Sequence, residues 1–455
     1  MKIFTALSFT LMTSFCTAQS LAETANEPLK MLSKADKSKL EAVFHQIKIE
    51  FVTPTKNDQL VNACLSSLSL SESPATLYTE KDMDLEDESK AVLKIAQVIA
   101  SQSSSEADSH KNLEKCLISM VSSLNADSHY YPPAEENSPT SAIKLAGIGV
   151  EFKIKDGMLF VVSALDTGPA QKAGIRRGDI ITNIDKSSTK GLSMNEAVKL
   201  LRGELNSTVE LDVTRQNQTE SSKFVLKRDY VKAAAPEIKR IQNHYIYIQT
   251  KSQNQDSLES IAVKLDQLLQ EKNAVTNGII LDLRNNSGGL LYVSAGISAI
   301  FLPQKSLIAS VKGTSKLANF NMTAEREFYL SDMKKKDLIK KLPDVTKKIP
   351  LVVLINHDTA SGSEIIASAL QEYKRAKIIG TTSFGRSSLE TIFPMHDGSA
   401  LKLSTAKWYT SLGNSIESVG VIPDIVISDN ADVMIGSEND IVLNRGLEHL
   451  SLVQH

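Results

Sequence analysis

The sequence predicts a multidomain α/β chain: an N-terminal helical segment, a small α+β domain and a larger α/β core. Three observations carry this prediction. Apolar residues recur at helical spacing from about Ser33 to Leu124, as in Leu113, Cys116, Leu117, Met120 and Leu124. At Gly147 the pattern switches to short strands punctuated by Gly and Asp turns. From about Pro236 to Asp429 strand and helix alternate, as in a mainly parallel sheet covered by helices.

At the start of the chain, Met1-Lys2 precedes an apolar run from Ile3 to Phe15, and Ser20-Leu21-Ala22 precedes Glu23. This is the layout of a secretory leader, so residues 1–22 are expected to be a signal peptide cut near Ala22, which implies a periplasmic or otherwise exported protein. The run is too short to cross a bilayer, and no later stretch reaches the roughly 18 to 20 apolar residues a spanning helix needs. No transmembrane segment is expected. Cys16 would leave with the leader, while Cys64 and Cys116 either pair or stay as thiols, a choice spacing does not decide.

With 42% hydrophobic and 23% charged residues the chain can bury real cores, and disorder is excluded as its main character. A net charge of -2 gives no footprint for nucleic acid, and the basic stretch from Lys334 to Lys348 reads as a solvated helical face. The eight histidines are scattered, without a His-x-x-x-His pair or a Cys/His cluster, so neither a metal nor another cofactor is expected.

Residues 23–131 form the expected helical domain, and Pro132, Pro133 and Pro139 mark a polar linker over 132–144. In residues 145–230 strands are predicted at Gly149 to Ile154, Leu159 to Ala164, Ile180 to Ile184 and Thr208 to Thr214. Helices fall near Pro169 to Ala173 and Ser193 to Leu201, the second opened by the capping box Ser193-x-x-Glu196. The core, 231–430, reads as strand Tyr245 to Gln249, helix Leu258 to Leu269, strand Gly278 to Leu283, helix Leu290 to Leu302, strand Leu351 to Ile355, helix Ser363 to Glu372 and strand Ala376 to Gly380. Asp397-Gly398 then reads as a tight hairpin turn with positive φ favoured at both positions. Residues 431–455 are a C-terminal helical segment.

Ligands on such sheets bind at loops after strand carboxyl ends, and two loops stand out. In Leu281-Asp-Leu-Arg-Asn-Asn-Ser-Gly-Gly-Leu290, Gly288 and Gly289 allow backbone N–H groups to approach an anion closely. In Asn356-His-Asp-Thr-Ala-Ser-Gly-Ser-Glu364, Ser361 stands at a helix entrance, where it could attack a carbonyl while Gly362 N–H stabilises the oxyanion. Ser361-x-x-Glu364 is equally a capping box, and on this motif alone capping is the commoner explanation.

The combination of motifs resembles the carboxy-terminal processing peptidases, or tail-specific proteases, over nearly all of the chain after residue 22. Gly147-Ile-Gly-Val-Glu151, Pro169-Ala-Gln-Lys-Ala-Gly-Ile175, Gly178-Asp179 and Leu200-Leu-Arg-Gly203 are similar to a PDZ domain of the bacterial type. In the core the resemblance rests on Leu281 to Gly289, Thr359 to Glu364, Thr382-Ser-Phe-Gly385, Asp397 to Leu403 and Gly420-Val-Ile-Pro-Asp424, which implies a peptidase fold of the ClpP/crotonase type. Leu124-Asn-Ala-Asp-Ser-His-Tyr130 is loosely similar to the family's amino-terminal motif.

The resemblance implies that Ser361 is the nucleophile, and that a neutral lysine takes its proton with a glutamine one turn later orienting it. Here that stretch reads Phe384-Gly-Arg-Ser-Ser-Leu-Glu390, with Arg386 for the lysine, 25 positions after Ser361, and Glu390 for the glutamine. A guanidinium stays protonated in proteins, so Arg386 cannot be the base. A salt bridge between Arg386 and Glu390 is expected in place of the dyad. The competing reading moves the base to His357, His396 or Lys402.

For the PDZ domain, Gly147, Ile148, Gly149 and Val150 are the expected carboxylate-binding loop, and a bound peptide would add to the strand from Val150. Arg202 is either a relay to the core or a plain surface cation. The implied partners are C-termini of exported polypeptides, with a homo-oligomer or an active paralogue as further candidates. Two functions follow: a processing peptidase homologue that binds C-termini and hydrolyses only if another base serves Ser361, or an inactive adaptor or regulatory subunit.

Overall fold

Side-chain caps set the starts of the first helices in the computed structural model, which describes residues 32–68, 87–133, 146–155, 157–164, 168–192, 194–215, 221–230, 235–315, 318–429, 433 and 435–453. The expected leader, most of the linker and the Ser193 cap lie outside the described residues. Ser33, Asp87 and Ser105 each accept from a first-turn N–H, opening α1 (Lys34–Glu50), α3 (Glu88–Ser101) and α4 (Glu106–Ser122), with α2 (Asn57–Ser66) after the first. Their apolar faces bury Leu40, Phe44, Leu60, Ile95 and Leu113 in one cluster. Cys64 of α2 and Cys116 of α4 form a disulfide within it, which decides the pairing left open by spacing. The chain leaves through β1 (His129–Tyr131).

The PDZ domain comprises β2 (Val150–Lys155), β3 (Met158–Ala164), α5 (Pro169–Lys172), β4 (Ile180–Ile184), β5 (Ser187–Ser188), α6 (Met194–Leu201), β6 (Thr208–Thr214) and β7 (Ser222–Lys227). Its antiparallel sheet runs β2-β3-β4-β6-β7 around Ile148, Val161, Ile181, Ala197 and Leu211. The expected strands and helices are there; β7 is an addition, because its exposed and buried residues mix polar and apolar types without a clean alternation.

The core begins with β8 (Glu237–Ile241), β9 (Tyr245–Gln249), α7 (Gln255–Leu269), β10 (Gly278–Asp282) and α8 (Leu291–Phe301). It continues through β11 (Leu307–Gly313), β12 (Phe320–Thr323), α9 (Arg326–Tyr329), β13 (Leu351–Ile355), α10 (Gly362–Glu372) and β14 (Lys377–Gly380). It ends with β15 (Ser388–Pro394), β16 (Ala400–Thr410), β17 (Ile425–Val426) and α11 (Ile441–Leu452). The main sheet runs β17-β14-β13-β10-β9-β8, parallel except at β8. Its central strands β9, β10 and β13 are buried on both faces, as covering helices require, while the edge strands β8 and β17 are partly exposed. Ile246, Ile248, Ile279, Leu281, Val353 and Ile355 pack towards α7, α8 and α10, while Tyr247, Ile280, Val352 and Leu354 pack under Val442, Leu447 and Leu450 of α11.

Three expectations change. The core carries a second, antiparallel sheet, β1-β16-β11-β12 with β15 on β16, so β1 from the helical domain completes a core sheet. The hairpin turn has positive φ at Gly398 (86°) and not at Asp397, and Met395 N donates to Ser399 O across a three-residue loop. The basic run holds two 3-10 turns, Ile339–Lys341 and Asp344–Lys347, because Pro343 interrupts any continuous helix.

Candidate active site

β10 and β13 are parallel neighbours, so the loops leaving their carboxyl ends meet. Thr359 Oγ1 donates to Leu283 O at 2.9 Å, Ala360 N to Asn286 O at 3.0 Å and Asn285 N to Asn356 Oδ1 at 3.0 Å. Gly288 lies against the serine because it lacks a side chain. A Cβ there would sit 2.7 Å from Gly362 N and 3.0 Å from Ser361 Cβ, and its φ of 97° already demands glycine. Gly289 has φ 149°, and a Cβ on it would meet Gln253 O at 2.2 Å. The amides of Gly289 and Gly362 donate to no described acceptor.

Ser361 departs from the other caps of the chain. Ser33, Ser105, Asn254 and Asp440 have extended backbones and side chains that accept N–H bonds, whereas Ser361 has φ 52° and ψ -117° and its hydroxyl makes no cap hydrogen bond. Such a backbone costs about 1–3 kcal/mol and needs surrounding contacts to hold it. Plain capping does not account for it. Glu364 supplies much of the hold, a role the sequence reading limited to half of a capping box. Its Oε2 accepts from Ser361 N at 2.8 Å and Arg386 N at 2.9 Å. Its Oε1 accepts from Gly385 N at 2.6 Å and from the Ser383 hydroxyl. Burial pushes this carboxyl above its ordinary pKa, and the four hydrogen bonds only partly offset that.

Gln253, also unforeseen, braces the same point: its Nε2 donates to Ser363 Oγ at 2.9 Å, its Oε1 accepts from Ser294, and its backbone pairs with Gly288 O and Leu290 N. Beneath the glycine loop, Arg284 is 1% exposed and pairs with Asp282, Asp440 and Asp429 at 2.6, 2.6 and 2.9 Å. Although burial disfavours its charge, these carboxylates drive its pKa further up. The network ties α11 to the loop.

Arg386 does not pair with Glu390. Its Nε faces Asp127 Oδ1 at 3.9 Å and its guanidinium stacks on Phe384, Cζ 4.9 Å from the ring centre. The reason is β1: it carries the 124–130 segment onto β16, where Asp127 reaches across to accept from Ser388 Oγ at 2.9 Å. Glu390 is exposed on β15. Asp127 was thus missed, although the amino-terminal motif containing it was noticed.

No described side chain hydrogen-bonds the Ser361 hydroxyl, Arg386, His357, His396 and Lys402 included. His357 is exposed and tilted against Phe384, His396 is exposed beside the β15–β16 turn, and Lys402 is on β16 opposite His129 and Ile392. Among the described residues no group of three or more His, Cys, Asp or Glu could hold a metal.

In the PDZ loop, Gly147 N donates to Asp229 O at 2.9 Å, so it is not available to a ligand; a strand-like bridge to the 228–229 segment takes it. The Ile148 and Gly149 amides have no described acceptor, and Gly149 has φ 74°. Arg202 is exposed beside Gly147 and makes no described contact with the core. Arg177 of the PDZ domain does reach the core: it donates to Asn285 Oδ1 at 3.2 Å and lies 3.9 Å from Asp358.

Residues 244–427 match peptidase family S41 and residues 160–215 match the PDZ domain. A carboxy-terminal-processing protease of Bartonella bacilliformis is 34% identical over 331 residues, covering 70% of each chain. The carboxy-terminal processing protease CtpA of Bacillus subtilis is 32% identical over 323 residues, covering 70% of this chain and 64% of its own. The fold is similar to that of a photosystem II D1 C-terminal processing protease, with a TM-score of 0.62 at 19% identity over 90% of this chain and 97% of that one.

Proposed function

Starting from the fact that the chain belongs to the carboxy-terminal processing proteases of peptidase family S41, we propose that it captures polypeptide C-termini through its PDZ domain without Ser-Lys hydrolysis in its core. One observation carries the reading: at the position of the base stands Arg386, stacked on Phe384 and turned to Asp127, while no described side chain engages the Ser361 hydroxyl. An arginine cannot be neutral at working pH, so the first proton transfer of a serine peptidase has no acceptor.

Capture is supported by the free Ile148 and Gly149 amides, which suit a terminal carboxylate, and by β2, whose outer edge lies at the end of the sheet order and can accept a peptide strand. Export is supported by the Cys64–Cys116 disulfide, since such bonds persist in oxidising compartments. The chain then acts as an adaptor, decoy or regulatory subunit on exported proteins. A purified-protein assay tests it: a peptide with a free apolar C-terminus is bound and not cut, and a fluorophosphonate does not label Ser361. Cleavage that disappears in Ser361→Ala overturns the reading and favours a relocated base.

A further inference from the structure

We infer that the former catalytic centre is a second carboxylate-binding site, in which Arg386, the Ser361 hydroxyl and the Gly289 and Gly362 amides receive the α-carboxylate of a polypeptide C-terminus. The groups that face outward there are donors, while the carboxylate of Glu364 is taken up by Ser361 N, Arg386 N, Gly385 N and Ser383 Oγ. The Arg386 side chain is 37% exposed, and among the described residues it makes no hydrogen bond and one ion pair, 3.9 Å long through Nε, which leaves the outer guanidinium edge open to a ligand. Asp127 faces the guanidinium at Nε through Oδ1, and its other oxygen accepts from Ser388 Oγ.

The backbone segments that carry these donors meet in one small region. Ser361 N and Arg386 N bond the same oxygen of Glu364, and a side chain at Gly288 would touch Gly362 N and Ser361 Cβ, so the glycine loop, the serine and the arginine segment are in contact. A serine peptidase site needs a proton acceptor beside its serine; here no described side chain bonds the Ser361 hydroxyl, and Arg matches carboxylates bidentately where Lys offers a point charge. Leu290, Phe384 and Val419 flank the region with 46%, 46% and 57% of their surface exposed, which suits a peptide with apolar residues before its terminus over a free inorganic anion. The inference does not rest on PDZ binding.

Isothermal titration of the full chain with a peptide ending in apolar residues and a free carboxylate tests it, beside the C-terminally amidated peptide and free acetate. Two sites are expected in the natural chain, neither filled by the amide. Arg386→Gln, which retains a long polar side chain at a half-exposed position, is expected to weaken one site by about 10- to 100-fold, the loss expected for charge-assisted hydrogen bonds, and to leave the other unchanged. Gly149→Asp should remove the other site alone. One site lost in Gly149→Asp and untouched by Arg386→Gln overturns the inference while sparing the PDZ reading; one site lost in Arg386→Gln and untouched by Gly149→Asp does the reverse. Acetate filling the core site as tightly as the peptide overturns the assignment to a polypeptide terminus.

Discussion

Replacing Glu364 by glutamine asks whether a single buried carboxylate holds the serine loop and the Arg386 segment together. Each oxygen accepts from two donors: Ser361 N and Arg386 N on one, Gly385 N and Ser383 Oγ on the other. An amide oxygen can serve one pair; the NH2 group then faces the other pair, donor to donor. Two unsatisfied buried donors cost about 1–3 kcal/mol each, and the substitution recovers part of the penalty of burying a charge, so a net loss of about 3 kcal/mol is expected. Trp408, the one tryptophan of the chain, is buried and donates to Arg386 O at 3.2 Å, so its fluorescence reports unfolding at this spot. With a urea slope of about 3 kcal/mol/M the midpoint should fall by about 1 M, and the Ser361, Gly385 and Arg386 amides should lose hydrogen-exchange protection. A midpoint within about 0.2 M of the natural chain, with protection retained, refutes the claim that Glu364 carries the junction.

Two further predictions concern the helical domain. Lys39 is buried and pairs with Glu114 at 2.8 Å and with the more exposed Asp397 of the β15–β16 turn at 2.6 Å, so Lys39→Met should cost about 1–2 kcal/mol, less than a fully buried pair because Asp397 reaches water. Partial burial raises the Asp397 pKa, yet the Lys39 and Ser399 hydrogen bonds outweigh it and hold the carboxyl at about 2, below its unfolded value. The pair's contribution is therefore present above about pH 4 and lost as pH falls towards 2. Acid unfolding with an equal slope in Lys39→Met would contradict this. For the disulfide, a closed loop with a sequence separation of 52 residues corresponds to about 4 kcal/mol of chain entropy, so Cys64→Ser with Cys116→Ser should lower the helical domain's stability by that order, measured by far-UV circular dichroism.

Much of the architecture was readable because it depends on local pattern. The strands β9, β10, β13 and β14 are short runs of apolar residues bounded by Gly or polar breaks, and β6 of the PDZ domain alternates cleanly. Both loops of the site follow such strands, so Gly288, Gly289, Ser361 and Gly362 could be singled out before their contact was seen. Of the second sheet only the β15–β16 hairpin was readable: β1 and β12 are short, and β1 and β11 pair with β16, far away in the chain. For the same reason Asp127 was not linked to Arg386, and Glu390, close by in the sequence, took its place as the expected partner. Arg284 and its three carboxylates span positions 282 to 440, a network visible only once α11 is folded onto the sheet. Gly147 misled through chemistry rather than distance, since its N–H is spent on Asp229.

The central claim is that Arg386 has removed Ser-Lys turnover from an otherwise assembled site. Cleavage of a peptide with a free apolar C-terminus, followed for the natural chain and for Arg386→Lys combined with Glu390→Gln, addresses it most directly. The account predicts no cleavage by the natural chain and measurable cleavage, abolished by Ser361→Ala, in the double variant, because a lysine can lose its proton where a guanidinium cannot. Turnover by the natural chain that depends on Ser361 would contradict it.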